Sequence, residues 1–211
     1  MVLKICIVGT KQSGSTRLYN LVRLLYNHSN IYSCYEYQHD LDCEYDIIIC
    51  KVHDCEISYL KKFDIIILPI RDIRDSAISS SMRFNEHIID NCLFNIEMVN
   101  KFTSYSHYIF KYENYNLDYI HELCQFLKID KTNEEILNIM SELDFLHKSK
   151  KICLVDNPDD DFYKITLLSQ HHNTSNGQSK KYKTFFSPEE NQKLLENPDI
   201  YNFLHQFNYL D

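Results

Sequence analysis

Glycine is nearly missing from this chain: it counts 3 in 211 residues, where average usage would supply roughly fifteen. A glycine that persists against such a background stands where a side chain cannot be accommodated, and two of the three, Gly9 and Gly14, lie in one short segment. Tryptophan is absent and proline counts only 4, while Ile, Lys, Asn and Tyr abound, the bias an AT-rich coding sequence produces. An excess of positive charge is lacking too. The formal net charge of -8 argues against a nucleic-acid or anionic-membrane partner, which selects a basic surface, so any phosphate site must be a local basic patch. No segment approaches the ~20 uninterrupted apolar residues of a membrane span, and the run Met1 to Val8 is too short for a signal peptide. The 8 cysteines form neither a C-x-x-C pair nor a zinc-site spacing. Reduced thiols and a cytoplasmic address are the expectation.

Hydrophobic residues at 44% and charged residues at 25% exclude a disordered chain and a coiled coil. The length fits one domain spanning 1–211 with a sizeable core, and there is no internal repeat or Gly/Ser linker. Oligomeric state cannot be read from it.

The first half alternates short apolar runs with longer helical patterns, the signature of β-α units and a parallel sheet. Strands are expected near Leu3 to Val8, Ile31 to Tyr35, Asp46 to Cys50, Asp64 to Pro69 and His107 to Lys111. The runs Ile47 to Ile49 and Ile65 to Leu68 are continuously apolar and β-branched, as strands covered on both faces require. From Ser15 to Tyr26, Leu18, Leu21, Val22 and Leu25 recur at helical spacing directly after the first strand. Thr132-Asn-Glu-Glu135 and Ser187-Pro188-Glu-Glu190 read as capping boxes of later helices. Lys148 to Lys183 is polar and weakly periodic, and a long loop or lid is expected there. The fold class is α/β: three layers, α/β/α, around a central parallel sheet of about five strands, like that of P-loop NTPases.

Two segments carry chemistry. Gly9-Thr-Lys11-Gln12-Ser13-Gly14-Ser15-Thr16 joins an apolar strand to an amphipathic helix, so its amides and the helix N-terminus can face an anion. The glycine spacing is that of a Walker A loop, but Ser15 stands where the nucleotide-contacting lysine belongs. An ordinary ATPase or GTPase is disfavoured; a P-loop kinase of a nucleoside or other small metabolite stays open. The second segment closes a buried strand with Arg71, and Ser79 follows about two helical turns on. Ligands bind at such carboxyl edges of parallel strands, and one phosphate can be held between guanidinium and hydroxyl. Asp72 and Asp75 alone would suit an exposed helix start, where carboxylates complement the dipole.

Together the segments resemble the sulfotransferase family that uses 3'-phosphoadenosine 5'-phosphosulfate (PAPS). That family pairs a P-K-S-G-T-T loop with a distal R-x-P-x-D-x-x-x-S motif, and Ser13-Gly14-Ser15-Thr16 and Arg71 to Ser79 match them. Lys51-Val52-His53 is similar to the K-T-H segment of the cytosolic members, Lys111-Tyr112-Glu113-Asn114-Tyr115 to R-Y-E-D-L, and Gly177 to Pro188 to the stretch that closes over the nucleotide. Gln12 stands where the family's loop lysine does, with Lys11 one position earlier; Arg17 replaces the usual tryptophan; Ser175-Asn176 replaces Arg-Lys.

The resemblance implies transfer of a sulfuryl group from PAPS to a hydroxyl or amine, with 3'-phosphoadenosine 5'-phosphate (PAP) as product and no metal. It implies His53 as the base, with Glu36 as the alternative carboxylate base, and Lys51 and Lys11 beside the transferred group. The nucleotide's 5' end falls to Lys11, Gln12, Ser13, Gly14, Ser15, Thr16 and Arg17. Its 3'-phosphate falls to Arg71 and Ser79, assisted by Tyr112, Asn176, Gly177, Lys180 and Lys181. The acceptor is a small molecule, a glycan or a protein hydroxyl. A relative that binds nucleotide or a protein partner without turnover is the non-enzymatic alternative.

Overall fold

The computed structural model describes residues 2–27, 31–35, 45–148, 161–168 and 179–210. Five parallel strands, β1 (Leu3–Val8), β2 (Ile31–Tyr35), β3 (Ile47–Val52), β4 (Ile65–Ile70) and β5 (Tyr108–Lys111), form one sheet in the order β2-β3-β1-β4-β5. Register sets Ile7 of β1 opposite Lys51 of β3 and Ile67 of β4. After β1 the chain crosses to β2 on one side, through helix α1 (Ser15–Tyr26); the short α2 (Ile57–Leu60) lies between β3 and β4, and after β4 the chain crosses to β5 on the other side, through α3 (Ile73–Phe84) and α4 (Ile88–Thr103). The carboxyl ends of β1 and β4 therefore open into a crevice, the place where doubly wound sheets bind ligands.

Alternation along the strands divides the core. Ile5 and Ile7 of β1 and Ile47 and Ile49 of β3 face Leu18, Leu21, Val22 and Leu25 of α1, with α5 (Leu117–Leu127) and α6 (Asn133–Lys148) in the same layer. Cys6, Val8, Ile48 and Cys50 face the other way, toward Cys92, Ile96, Val99 and Phe102 of α4 and Ile200, Phe203 and Leu204 of α10 (Pro198–Gln206). The three-layer α/β/α arrangement expected from the β-α alternation is the one observed.

β3 and β4 each run past the expected ends, to Val52 and Ile70. Lys51 looks like a strand terminator, yet it is buried to 4% exposure inside the ladder. Both capping boxes form: Thr132 and Glu135 exchange bonds at 2.8 and 3.3 Å, and Ser187 and Glu190 do so at 2.8 and 3.2 Å ahead of α9 (Pro188–Leu195). The segment expected to be loop contains two short helices, α7 (Asp161–Thr166) and α8 (Tyr182–Phe185). α7 holds because its carboxyl end docks on α1: Asn20 Nδ2 donates to Thr166 O at 2.7 Å and Tyr19 Oη to Ile165 O at 3.1 Å. No helix among the described residues is long and apolar enough to cross a membrane.

Candidate functional site

β1 delivers the loop Gly9 to Gly14 into the crevice. A Cβ at Gly9 would come within 2.7 Å of the Pro69 ring and 2.8 Å of Ser13 Oγ, so only glycine lets the loop lie this close to β4. Gln12 and Gly14 take left-handed backbone, φ 60 and φ 84, and Ser13 folds back on Thr10 O through its amide at 3.3 Å and its hydroxyl at 2.8 Å. Gly14 caps α1 without a side-chain acceptor, and no acidic residue stands in the first turn. The opening amides of a twelve-residue helix therefore carry positive potential and no built-in anion. Ser13, Ser15 and Thr16 line the turn and are buried.

β3 delivers His53 beside that loop. Its Nδ1 lies 2.8 Å from Gly9 O; a carbonyl oxygen only accepts, so Nδ1 holds the proton and Nε2 is the basic nitrogen. Burial, then the positive charge of Lys51, pushes the imidazole pKa down to about 3, against a smaller opposing effect of the Gly9 hydrogen bond. Lys11 and Arg83 add to the depression. Lys11 reaches across to Glu86 at 3.2 Å.

β4 delivers Arg71 on the opposite side, with 5% exposure. Its guanidinium lies over the Tyr112 ring at 4.8 Å and donates to Gln12 O at 3.5 Å, while Nη2 stands 3.8 Å from Asp75 Oδ2. Tyr112, at the carboxyl end of β5, also packs on the loop: a Cβ at Gly14 would fall 2.3 Å from its ring. Two turns into α3, Ser79 Oγ accepts from Lys181 Nζ at 3.4 Å, and Asp75 Oδ1 accepts the Tyr182 amide at 3.0 Å. Arg71, Ser79 and Lys181 thus converge on one spot from two segments a hundred residues apart. Burial, then Arg71, pushes the Lys181 pKa down to about 8. Two cations held this close to one another, with Asp75 on the far side of Arg71, have the charge to take an anion.

Arg17 is bonded to Asp144 at 2.5 Å and stacked 4.2 Å over the Tyr115 ring. Lys180 is exposed, in left-handed backbone. Glu36, Asn176 and Gly177 lie outside the described residues. Sequence reasoning missed Asp75, which meets Arg71 and the Tyr182 amide, and Glu86, which meets Lys11. The interval of four between Asp75 and Ser79 on α3 is the signal that would have found the first. Asp72 and Asp75 are not exposed dipole partners: they are buried, at 4% and 0% exposure, because Arg74 and Arg71 hold them. Among the described residues no three His, Cys, Asp or Glu side chains cluster as metal ligands do.

No protein-family model and no curated protein matches the chain. Solved structures do. Mouse sulfotransferase SULT7A1 complexed with PAP is similar over 99% of this chain and 89% of its own, with a TM-score of 0.69 at 14% identity. Retinol dehydratase, in complex with androsterone and the inactive cofactor PAP, is similar over 95% of this chain and 80% of its own, at TM-score 0.64 and 16% identity. The same enzyme with retinol and PAP gives 0.59 at 17% identity, over 95% and 81%. The chain has the fold of these sulfotransferases.

Proposed function

We propose that the chain is a PAPS-dependent sulfotransferase acting on a hydroxyl-bearing acceptor. The observation that carries this reading is the second anion seat, Arg71, Ser79 and Lys181, set across the crevice from the phosphate loop. A nucleoside triphosphate needs the loop alone; a nucleotide with a phosphate at each end of its ribose needs both. The kinase reading loses on the same ground and on Ser15 in place of the Walker lysine.

The residues fit such a ligand. The uncapped start of α1 and the serine-lined loop would take the 5' end, and Arg71, Ser79 and Lys181 the 3'-phosphate, with Tyr112 bracing both seats. When bound, PAPS supplies an activated sulfuryl group. His53 accepts the acceptor's proton at Nε2, while its Nδ1 proton stays on Gly9 O and fixes the ring. Lys51, buried at the end of β3, and Lys11 hold positive charge where negative charge grows on transfer. Glu36 remains the alternative base. The acceptor is a small molecule, a glycan or a protein side chain; retinol and androsterone occupy the similar enzyme. The free buried thiols Cys6, Cys50, Cys55, Cys92 and Cys124 suit a reducing, cytoplasmic setting.

The test compares PAP with adenosine 5'-phosphate in Arg71→Ala. A charge-assisted contact at a buried site is worth about 1.5–3 kcal/mol, so PAP should weaken about tenfold or more and adenosine 5'-phosphate hardly at all. Equal losses for both ligands would remove the 3'-phosphate assignment, and with it the choice of PAPS over ATP.

A further inference from the structure

Resting on the reading that PAP binds, we propose that Asp75 is a positioning residue for the 3'-phosphate: its carboxylate joins α8 to α3 and supplies the counter-charge that keeps Arg71 and Lys181 together before the ligand arrives. Asp75 is 0% exposed and so does not touch a ligand itself. One oxygen, Oδ1, accepts the Tyr182 amide at 3.0 Å, across 107 positions of sequence. That bond fixes the residue next to Lys181, whose Nζ donates to Ser79 Oγ at 3.4 Å, while Ser79 Oγ itself donates to the Asp75 carbonyl at 2.8 Å. The other oxygen, Oδ2, stands 3.8 Å from Arg71 Nη2 and makes no hydrogen bond although it is buried.

A second arginine-aspartate pair at the same helix start sets the first in relief. Asp72 and Arg74 close on each other through Nε at 3.0 Å and Nη2 at 2.6 Å, the two-bond geometry in which guanidinium and carboxylate satisfy one another. Arg71 and Asp75 are as deeply buried and yet stay open: the guanidinium lies over the Tyr112 ring and donates to Gln12 O, and the carboxylate attracts it without a hydrogen bond between them. A buried oxygen left without a bond is costly, and so are two cations side by side. Both costs have one explanation if the carboxylate serves Arg71 and Lys181 at once. Arg71 at the end of β4 and Asp75 on α3 are the charged groups that face Lys181: burial and then Arg71 push its pKa down to about 8, and Asp75 opposes them. Without the carboxylate, Lys181 would give up its proton at a lower pH and the seat would lose a cation near neutrality.

The pH dependence of PAP affinity separates this role from a merely structural one. Asp75→Asn keeps an oxygen for the Tyr182 amide and removes the charge; Asp75→Ser removes the charge with a smaller side chain. PAP and adenosine 5'-phosphate are titrated against each protein from about pH 6 to about pH 9, and melting temperatures are taken alongside. In the parent, PAP affinity declines as Lys181 loses its proton. In Asp75→Asn the midpoint of that decline should move down by about one pH unit, while adenosine 5'-phosphate, which lacks the 3' group, binds both proteins equally. Lys181→Met should show no decline whichever residue stands at 75, which assigns the titration to Lys181. A midpoint that stays in place, even with PAP weakened at every pH, would make Asp75 a packing residue and overturn the inference while the nucleotide reading stands. Equal losses of PAP and adenosine 5'-phosphate, or failure of both Asp75 variants to fold, would overturn it in the same way. A parent that binds no PAP would remove the nucleotide reading, and this inference with it.

Discussion

His53 is kept in the form a general base needs by two separate effects. The Gly9 carbonyl fixes the proton on Nδ1, and burial with the Lys51 charge pushes the pKa down to about 3. The imidazole is therefore neutral across the physiological range. His53→Ala should lower turnover by about 10²–10⁴-fold and leave PAP affinity nearly unchanged, with Glu36→Gln as the paired variant; full rate in the first and loss in the second would assign the base to the carboxylate. The dependence on pH has a sign. The unfolded imidazole takes a proton near pH ~6.5 and the folded one only near 3, so below ~6.5 the unfolded state binds more protons and stability falls as pH falls. The rate, by contrast, should show no inflection at the ordinary imidazole pKa, and a pH-rate profile with one there would contradict this environment. Lys51 and His53 were legible in the sequence because they stand at the end of a recognisable strand, Arg71 and Ser79 because they follow one. Asp75 was not: its role depends on a backbone amide at Tyr182, more than a hundred residues away, and no local pattern records that.

At the scale of elements, strands and α1 could be read because a residue covered on both sides must be apolar. Their ends could not, since Lys51 and Ile70 obey the crevice and not the pattern. α7 and α8 escaped notice for a related reason: each is too short to show a period, and each is held by contacts with α1 or α3. α8 sets one prediction, because it carries Lys181 to Ser79. Burial and Arg71 hold the Lys181 pKa near 8, so its charge is present below that pH and lost above it, whereas a bound 3'-phosphate would keep the proton on. PAP affinity should decline from about pH 7 to about pH 9 with proton uptake on binding, and Lys181→Met should flatten the decline; calorimetry in buffers of different ionisation enthalpy reads both. The phosphate loop sets another. Gly14→Ala forces a side chain into left-handed backbone and against the Tyr112 ring, 2.3 Å from its nearest carbon. Loss of PAP binding should accompany a lower melting temperature, and an Ala variant that binds PAP as the parent does would show that the turn is not the seat.

One buried arginine joins parts of the molecule that the sequence keeps far apart. Arg74, 2% exposed, bonds Asp72 through Nε at 3.0 Å and Nη2 at 2.6 Å, and Nη2 also donates to Tyr209 O at 2.6 Å. Its Nη1 reaches Asn191 of α9 at 3.4 Å, and its face covers the Tyr182 ring at 3.5 Å. Tyr209 in turn donates to Glu113 Oε2 at 2.9 Å, whose other oxygen accepts the Asp72 amide at 3.1 Å. The chain's last turn is thereby tied to the start of α3, next to Arg71. None of this was legible in the sequence, because the partners lie up to 135 positions apart and an arginine beside two aspartates reads as a solvated helix start. Removing the guanidinium leaves the Asp72 carboxylate buried beside α3 without its counter-charge, a loss of about 3–5 kcal/mol. For a domain of this size Arg74→Met should then melt about 10 °C lower. Burial already holds the Asp72 carboxyl above its usual range, with Arg74 pulling it back. In the variant that restraint is gone, the folded state binds the proton more readily than the unfolded one, and stability should recover as pH is lowered toward about 5. Melting temperatures of parent and variant, taken together across that range, check the account: the gap must narrow on acidification, and a gap that stays constant would mean that Arg74 stabilises by packing on Tyr182 and not by charge.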